Sequence, residues 1–587
     1  MPLVSINDVA EKSFDYVVAG GGTAGLTLAV RLSEDPNVSV LVLEAGGAHI
    51  DDPAVLRPAS FGSHFRQEEY DWDYTTVPQK WAANTEFHIP SGKGLGGSSQ
   101  INFLVWSRPP AAEIDDFERL GNPGWNWKEY VKYSKKLEKC VPRAASGDVK
   151  KGDLRAKGLT DGTSGNITVA FPKTLLELEL PIQETMLHTG FKHAKDPVGG
   201  DPHGVAFYPQ TVNPATLDRS YVTNGYYLPA QDRKNLSVLT GARVNHLVNE
   251  KAADGIVTAK SVEFNHNGKT HSVKIGKEVV LSAGAVRSPQ ILELSGIGLK
   301  HILEPLGITQ QIDLPVEIKD DVKDPTLDVF RDPEQLQKHL GLQKEGKGLF
   351  STGLTGFSFC ALQDYSPRAD EIQKAAKESI LQNAANYPPG LLEQYQIQIE
   401  RMEKKAPGLE ICIIPGFLSA PNPPEPGKKY FTPLIIMNHN LSRGTVHITS
   451  VDPNVNPALD PHYVEQPSDL QTLIEGTKYV RRLKDVEPFK KYVVKELNPG
   501  PEVQTDEEIG EWLKKNLSTT YHTGSSVSML PKDKGGVVDP RLKVYGTSNI
   551  RVVDLSIVPL YFSAHPQTTV YVIAEKAADL IKEDSKI

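Results

Sequence analysis

Cysteine is scarce. The 587 residues contain three, Cys140, Cys360 and Cys412, and none stands at metal-ligand spacing from another. Three thiols cannot form a disulfide framework, so burial must hold the core, and a reducing compartment is expected. A basic excess is missing as well. The formal net charge is −9, which argues against a polyanion-binding surface as the main business of the chain. No apolar run approaches the ~18 residues of a membrane span. The opening MPLVSINDVAEKSFDY has neither a basic start nor a long apolar centre, so no secretory signal is expected there. No internal repeat or low-complexity tract stands out. What is present is globular in balance: 39% hydrophobic and 23% charged residues exclude a wholly disordered chain. Length alone suggests roughly four domains at about 150 residues each.

The first informative stretch is near the start. Phe14 to Ala19, FDYVVA, reads as a buried strand, LTLAVRLSED as a helix, and Val38 to Glu44, VSVLVLE, as a second strand. Between strand and helix stands Gly20-Gly21-Gly22-Thr23-Ala24-Gly25. In a G-x-G-x-x-G turn Gly20 permits the tight bend, Gly22 lets the backbone approach a pyrophosphate, and Gly25 lets helix and strand pack closely. The helix N-terminus, with Thr23 and Ala24, offers N–H donors to phosphate. Glu44 ends the second strand, where an acid binds ribose hydroxyls and disfavours a 2′-phosphate. This predicts a dinucleotide site without choosing between NAD and FAD.

Further on, residues 51–90 read as a long surface excursion and 124–140 as an amphipathic helix. Residues 235–248 and 269–284 alternate like strands, with Asn267-Gly268 suited to a turn. Residues 330–405 are polar and suggest surface helices, 442–463 returns to strands and turns, and the chain closes on an amphipathic helix. The economical arrangement is a nucleotide domain in separated segments with a second domain inserted.

Two more motifs are long and specific. One is Gly92-Lys93-Gly94-Leu95-Gly96-Gly97-Ser98-Ser99-Gln100-Ile101-Asn102. The other is Gly284-Ala285-Val286-Arg287-Ser288-Pro289-Gln290-Ile291-Leu292-Glu293-Leu294-Ser295-Gly296-Ile297-Gly298. With the fingerprint, and with Tyr521-His522-Thr523-Gly524-Ser525, RVVDLSIVP and HPQTTVYVIAEKAADLI near the end, the chain resembles the glucose–methanol–choline (GMC) oxidoreductase family. In style it is nearest to the aryl-alcohol and primary-alcohol oxidases. The resemblance covers roughly residues 14–315 and 435–580.

It implies an α/β fold: a Rossmann-like FAD-binding domain with an α+β substrate-binding domain on an antiparallel sheet. The expected boundaries are 12–160, 205–315 and 520–587 for the FAD-binding domain, and 161–204 and 316–519 for the substrate-binding cap. The implied cofactor is FAD. Gly96, Gly97 and Ser98 offer successive backbone N–H groups and a hydroxyl to the pyrophosphate and flavin edge. Asn102 resembles a residue on the flavin or substrate side, and Val244 one that contacts adenine. Asp554 resembles a residue at the ribityl phosphate end. Gln567 and Thr568 resemble the segment passing the isoalloxazine ring. Some members attach FAD through a His before that Asn; Ile101 stands there, which implies a non-covalent flavin.

His522 and His565 match the family's catalytic pair. Oxidising an alcohol removes an O–H proton and a C–H hydride, and a histidine can take the proton while flavin N5 takes the hydride. The resemblance casts His522 as base and His565 as the group that orients the alcohol and stabilises developing alkoxide. No third His, Cys or carboxylate stands at ligand spacing, so no metal is expected. Tyr521, Trp106 and Phe103 are candidate pocket walls, and Tyr521 suggests a flat or apolar substrate.

The implied reaction is oxidation of a primary alcohol to an aldehyde, with electrons passed to O2, giving hydrogen peroxide, or to a quinone. The partners expected are a small alcohol and that acceptor, with no nucleic acid. The alternative is a non-redox lyase or cyclase that keeps FAD on the same fold, like a hydroxynitrile lyase. The family pattern fails after Leu314-Pro315, where Lys319, Asp321 and Pro325 replace a Gly-rich turn and its His, and Asp324 matches the family Asp; this implies a rebuilt substrate entrance. The terminal Ser585-Lys586-Ile587 resembles a peroxisomal tail, so cytosol or peroxisome is the expected compartment.

Overall fold

Short apolar runs flanked by glycine form the centre of the first sheet. In the computed structural model, which describes residues 3–141, 162–172, 176, 179–298, 310–313, 316–318 and 326–586, Ser13–Ala19 pairs in parallel with Val40–Leu43 on one side and with Lys269–Leu281 on the other. Leu236–Leu239 extends the parallel sheet beyond Val40–Leu43, and Ile550–Val552 extends it beyond Lys269–Leu281. Five parallel strands thus come from three distant parts of the chain. Val40–Leu43 is buried throughout, as a parallel strand covered on both faces must be. Ala242–Lys251, Val257–His266 and Lys269–Leu281 continue the sheet as an antiparallel meander. Asn267 and Gly268 both take positive φ, 50° and 73°, between the last two strands, the geometry a tight hairpin prefers.

The chain's two ends close over this sheet. The helix Thr23–Leu32 packs on the final helix Gln567–Ser585. Arg31 reaches across to Glu575 and, at 3.1 Å, to Asp579, while the Tyr226 hydroxyl donates to Glu575 at 2.8 Å. The Ser585 hydroxyl lies 2.6 Å from that of Tyr16, so the first residue of the tail motif belongs to the helix end; Ile587 lies outside the described residues.

The second sheet is antiparallel and has eight strands. Its path runs Val493–Glu496, Val316–Ile318, Lys429–Met437, Leu409–Ile414, Gly356–Cys360, Gly204–Phe207, with Gln310–Asp313 joining Lys429–Met437 to Ser518–Thr519. Gly204–Phe207 and Gln310–Asp313 therefore belong to this sheet, although the boundaries drawn from sequence give 205–207 and 310–313 to the FAD-binding domain; Ser518–Thr519 fall inside the cap as drawn. Leu409–Ile414 is buried along its whole length, yet its faces differ. Leu409, Ile411 and Ile413 pack with Leu473, Val480 and Trp512 of the covering helices, while Cys412 and Ile414 join Phe357, Leu434 and Ile436 on the other face. The two-residue period of a strand makes this division.

Two sequence expectations need correction. Residues 51–90 are more than a surface excursion: Tyr74 and Ile89 are buried where they line the space between the sheets, and Tyr70 is buried with Val55, Ile101 and Tyr221. Residues 330–405 do carry helices, Pro333–Gln343, Ala369–Gln382 and Leu391–Glu403. They also contain the fully buried strand Gly356–Cys360, and Gln394, Gln398 and Arg401 of the last helix face inward. Lys319, Asp321, Asp324 and Pro325 lie outside the described residues. Among those described, no helix is long and apolar enough to cross a membrane.

The crossing of the first strand and helix depends on Gly25. A Cβ there would stand 2.0 Å from the Gly20 carbonyl oxygen, inside the backbone itself. Gly25→Ala should force the helix off the strand at a cost of about 1–3 kcal/mol. Gly341, exposed on the helix Pro333–Gln343, is the control, because a Cβ there meets open space. The check is a thermal unfolding midpoint lowered by Gly25→Ala and not by Gly341→Ala; an unchanged midpoint for Gly25→Ala would contradict the packing argument.

Candidate active site

A cavity of about 540 Å³ lies between the two sheets. Gly20, Gly22, Thr23, Ala24, Glu44, Gly97, Ser98, Asn102, Val244, Asp554 and Gln567 line it, as do Phe103, Tyr521, His522 and His565. Four predicted residues do not. Gly25 and Gly96 act behind the wall. Thr568 is buried, with its hydroxyl donating to the Ser107 carbonyl at 2.8 Å. Trp106 is fully buried and donates its indole N–H to Glu138 at 3.0 Å, because its polar edge needs an acceptor in the core. It is a core residue and not a pocket wall.

At one end of the cavity two glycine loops meet backbone to backbone. Gly96 N–H donates to the Gly21 carbonyl at 2.8 Å, and a Cβ on Gly97 would stand 2.8 Å from Gly22 Cα. On the cavity side the space is open: a Cβ on Gly22 would meet only Gly97 Cα, at 3.7 Å. This cradle, with the helix N-terminus at Thr23, suits a pyrophosphate. Glu44 stands beside it. Its carboxylate accepts from Gly21 N–H at 2.7 Å, Gly46 N–H at 2.8 Å and Gly94 N–H at 3.1 Å. Burial pushes this carboxyl up, and the three backbone donors oppose the shift. Oε1 takes the Gly46 and Gly94 N–H groups, while Oε2 takes that of Gly21 and keeps a lone pair for a ribose hydroxyl. Asp554 accepts from Gly284 N–H and from the Ser288 and Ser556 hydroxyls, which ties the RVVD turn to the helix Gly284–Leu294. Asn102 is held differently from the simple expectation: its side-chain oxygen accepts from Leu104 N–H and from buried Arg219 at 2.6 Å. Ile101 presents an aliphatic side chain to the cavity, with no nucleophile to attach a flavin.

At the other end the two histidines meet. Their ring centroids are 5.1 Å apart at 67°. His522 follows Tyr521, whose φ of 66° is uncommon for a side chain of its size and sets its ring edge-on to Phe65 at 5.0 Å. Thr520 Oγ1 lies 3.2 Å from His522 Nδ1. If the hydroxyl accepts from Nδ1–H, Nε2 is left as the basic nitrogen. Burial first, and the neighbouring His565 second, push His522 well below the ordinary histidine value of 6.5. It is therefore a neutral base at pH 7.

His565 has a partner that sequence reading missed. Its Nε2 lies 2.8 Å from Glu410 Oε1. Glu410 belongs to the cavity face of the strand Leu409–Ile414, one step of the two-residue period before Cys412. Its Oε2 has no hydrogen-bond partner among the described residues. The sequence signal was present in Leu409-Glu410-Ile411-Cys412-Ile413-Ile414: a carboxylate inside an apolar strand needs a partner to be buried. The surrounding walls are apolar or aromatic: Phe61, Phe65, Phe103, Leu354, Phe357 and Ile436.

Among the described residues, one further group has metal-ligating types close together, Asp71, Asp73 and His88. Asp71 already accepts from the N–H groups of Arg66, Asp73 and Ser91, and His88 Nε2 lies 2.9 Å from Asp73 and 3.2 Å from Asp71. These bonds account for the group as a knot that fixes the 66–91 loop.

The comparisons with known proteins agree with this geometry. The N-terminal GMC oxidoreductase family model matches residues 14–315 and the C-terminal one residues 440–574. The chain belongs to the GMC oxidoreductase family. It is 31% identical to dehydrogenase mpl7 of Monascus purpureus, over 100% of this chain and 98% of the relative. It is 32% identical to a glucose oxidase of Aspergillus carbonarius, over 98% and 93%. The solved structure of an FAD-dependent oxidoreductase from Chaetomium thermophilum superposes with a TM-score of 0.86 at 27% identity, covering 98% of this chain and 100% of that one. As a GMC oxidoreductase the protein is an FAD-dependent enzyme, and the glycine cradle, Glu44 and Asp554 fit that cofactor.

Two outcomes follow from the site. Gly22→Val should fold, because its side chain enters open space, but purify without flavin absorbance; a yellow Gly22→Val protein would remove the cradle from the cofactor site. The depressed His522 also sets a pH dependence. Native His522 stays neutral where a histidine in the unfolded chain is protonated, so acidification below about 6.5 favours unfolding at this site. Meanwhile the base form persists. The anaerobic rate of flavin reduction, followed from about pH 8 down to about pH 5, should show the acid limb of His522 well below the ordinary histidine range. A limb at or above that range would contradict the assignment.

Proposed function

We propose that the protein oxidises a primary alcohol, aromatic or otherwise apolar, to the aldehyde. The observation that carries this reading is the His522–His565 pair at the apolar end of a cavity whose other end is the glycine cradle. FAD, when bound, supplies the hydride acceptor. His522, neutral and facing the cavity, accepts the hydroxyl proton. His565, tied to Glu410 through Nε2–H, orients the alcohol through Nδ1, and a proton at Nδ1 supports negative charge as it develops on the oxygen. Phe65, Phe103, Phe357 and Tyr521 exclude water and favour a flat substrate face. Both an oxidase and a dehydrogenase stand among the relatives, so the electron acceptor is read from turnover with O2 as sole acceptor and a peroxide assay. For the compartment, we propose cytosol or peroxisome, because three cysteines are too few for a disulfide framework.

The test is anaerobic bleaching of the flavin near its visible maximum by a panel of alcohols: benzyl, 4-methoxybenzyl and cinnamyl alcohol, 1-hexanol and glucose. The aromatic primary alcohols should bleach fastest. If no alcohol bleaches the flavin, redox chemistry on alcohols is ruled out and the non-redox alternative gains. His522→Ala should keep its flavin and lose at least ~10²-fold in the rate of reduction, the scale of a lost general base. Reduction at the wild-type rate would remove His522 from that role.

A further inference from the structure

The loop that carries His565 is held from behind by a cluster of buried charges. Tyr561 gives its carbonyl to Arg401 Nη1 at 2.7 Å. Ser563 N–H donates to Glu113 Oε2 at 2.7 Å, and its hydroxyl lies 3.3 Å from Glu113 Oε1 and 2.9 Å from His439 Nε2. His439 Nε2 is itself 3.0 Å from Glu113 Oε1. Arg401 also donates to Asp116 at 2.9 Å and to the Glu113 carbonyl at 3.3 Å. Glu113, Asp116, Arg401, His439 and Ser563 are all buried. Burial pushes the Glu113 carboxyl up, but His439 and Arg401 outweigh it, and the group stays below its ordinary value.

These residues come from different parts of the chain. Glu113 and Asp116 stand on the helix Ala111–Arg119 and Arg401 on the helix Leu391–Glu403. His439 follows the strand Lys429–Met437, which pairs with the strand that bears Glu410. That side of the fold thus reaches His565 twice, through Glu410 at the ring and through Arg401 and His439 at the residues four and two positions before it. Apolar side chains would fill the same space with less desolvation, so packing alone does not call for two carboxylates, a guanidinium and an imidazole here. Three successive odd positions of the loop are anchored by hydrogen bonds, Tyr561 through its carbonyl, Ser563 through its N–H, and His565 through its N–H to Ser107 at 2.9 Å.

We propose that Glu113, Arg401 and His439 are positioning residues for the oxidation, fixing the backbone of the Tyr561–His565 loop so that the His565 ring is held between Glu410 and the alcohol oxygen. This rests on the role given to His565 above. None of the three lines the cavity, so each acts through the loop and not on the substrate.

A double-mutant cycle tests the proposal in the FAD-bound enzyme. Ser563→Ala removes one hydroxyl and leaves the charges in place; Glu113→Gln removes a charge and keeps the shape. Each should keep its flavin and slow anaerobic reduction by the fastest panel alcohol about 10-fold, within the loss that a misplacement of an ångström or less produces. In a His565→Ala background the same changes should slow reduction by less than about twofold, because the group they position is gone. Equal slowing in both backgrounds, or none in the wild-type background, would overturn the proposal. If Glu113→Gln does not fold, Ser563→Ala alone completes the cycle. A His565→Ala enzyme as fast as wild type would instead overturn the role of His565 and the proposal with it, an outcome told apart because the single His565 variant shows it directly.

Discussion

The meeting of the loops at residues 20–25 and 92–97 is the contact on which the rest of the site depends. One hydrogen bond, Gly96 N–H to the Gly21 carbonyl, and a glycine-on-glycine approach bring two chain segments closer than any side chain allows. The approach turns backbone N–H groups and a helix N-terminus toward one empty volume. It also sends the following residues, 98–105, along the cavity, where Ser98, Asn102 and Phe103 line it, and beyond them Ser107 receives both the His565 N–H and the Thr568 hydroxyl. The glycine cradle and the support of the His565 loop thus share one stretch of backbone.

The opposite wall follows from strand periodicity. In Leu409–Ile414 each odd position packs on helices and each even position faces the cavity. A slip of one residue would send Glu410 into the helical layer and leave His565 without its carboxylate. The register with Lys429–Met437, Glu410 opposite Ile436 and Cys412 opposite Leu434, prevents the slip. A carboxylate so placed polarises His565, while His522, with a threonine hydroxyl at Nδ1, is kept neutral by burial first and by the neighbouring His565 second. Two like side chains acquire different characters from different neighbours.

Much of the nucleotide half was legible because its signals are local. Gly20, Gly22 and Gly25 between a strand and a helix, and an acid at the end of the next strand, describe a turn and its immediate surroundings. The strand, helix and hairpin around them formed where the apolar spacing and Asn267-Gly268 put them. Trp106 was misread as a pocket wall for the opposite reason: it adjoins a residue that lines the cavity, but which way a side chain points depends on the packing around it. The 51–90 segment reads as surface in isolation and becomes interior only because a second layer lies above it.

The sequence by itself carried the family and the flavin and pointed to two candidate histidines, since each rests on residues in consecutive motifs whose chemistry does not depend on distant partners. The tertiary structure decided that Glu410 belongs to His565, that Arg219 occupies Asn102, and that Glu113, Arg401 and His439 stand behind the catalytic loop. Those pairings join residues separated by more than a hundred positions. They arise from strand register and from helices closing over a sheet, and the burial that makes them strong exists only once the chain has folded.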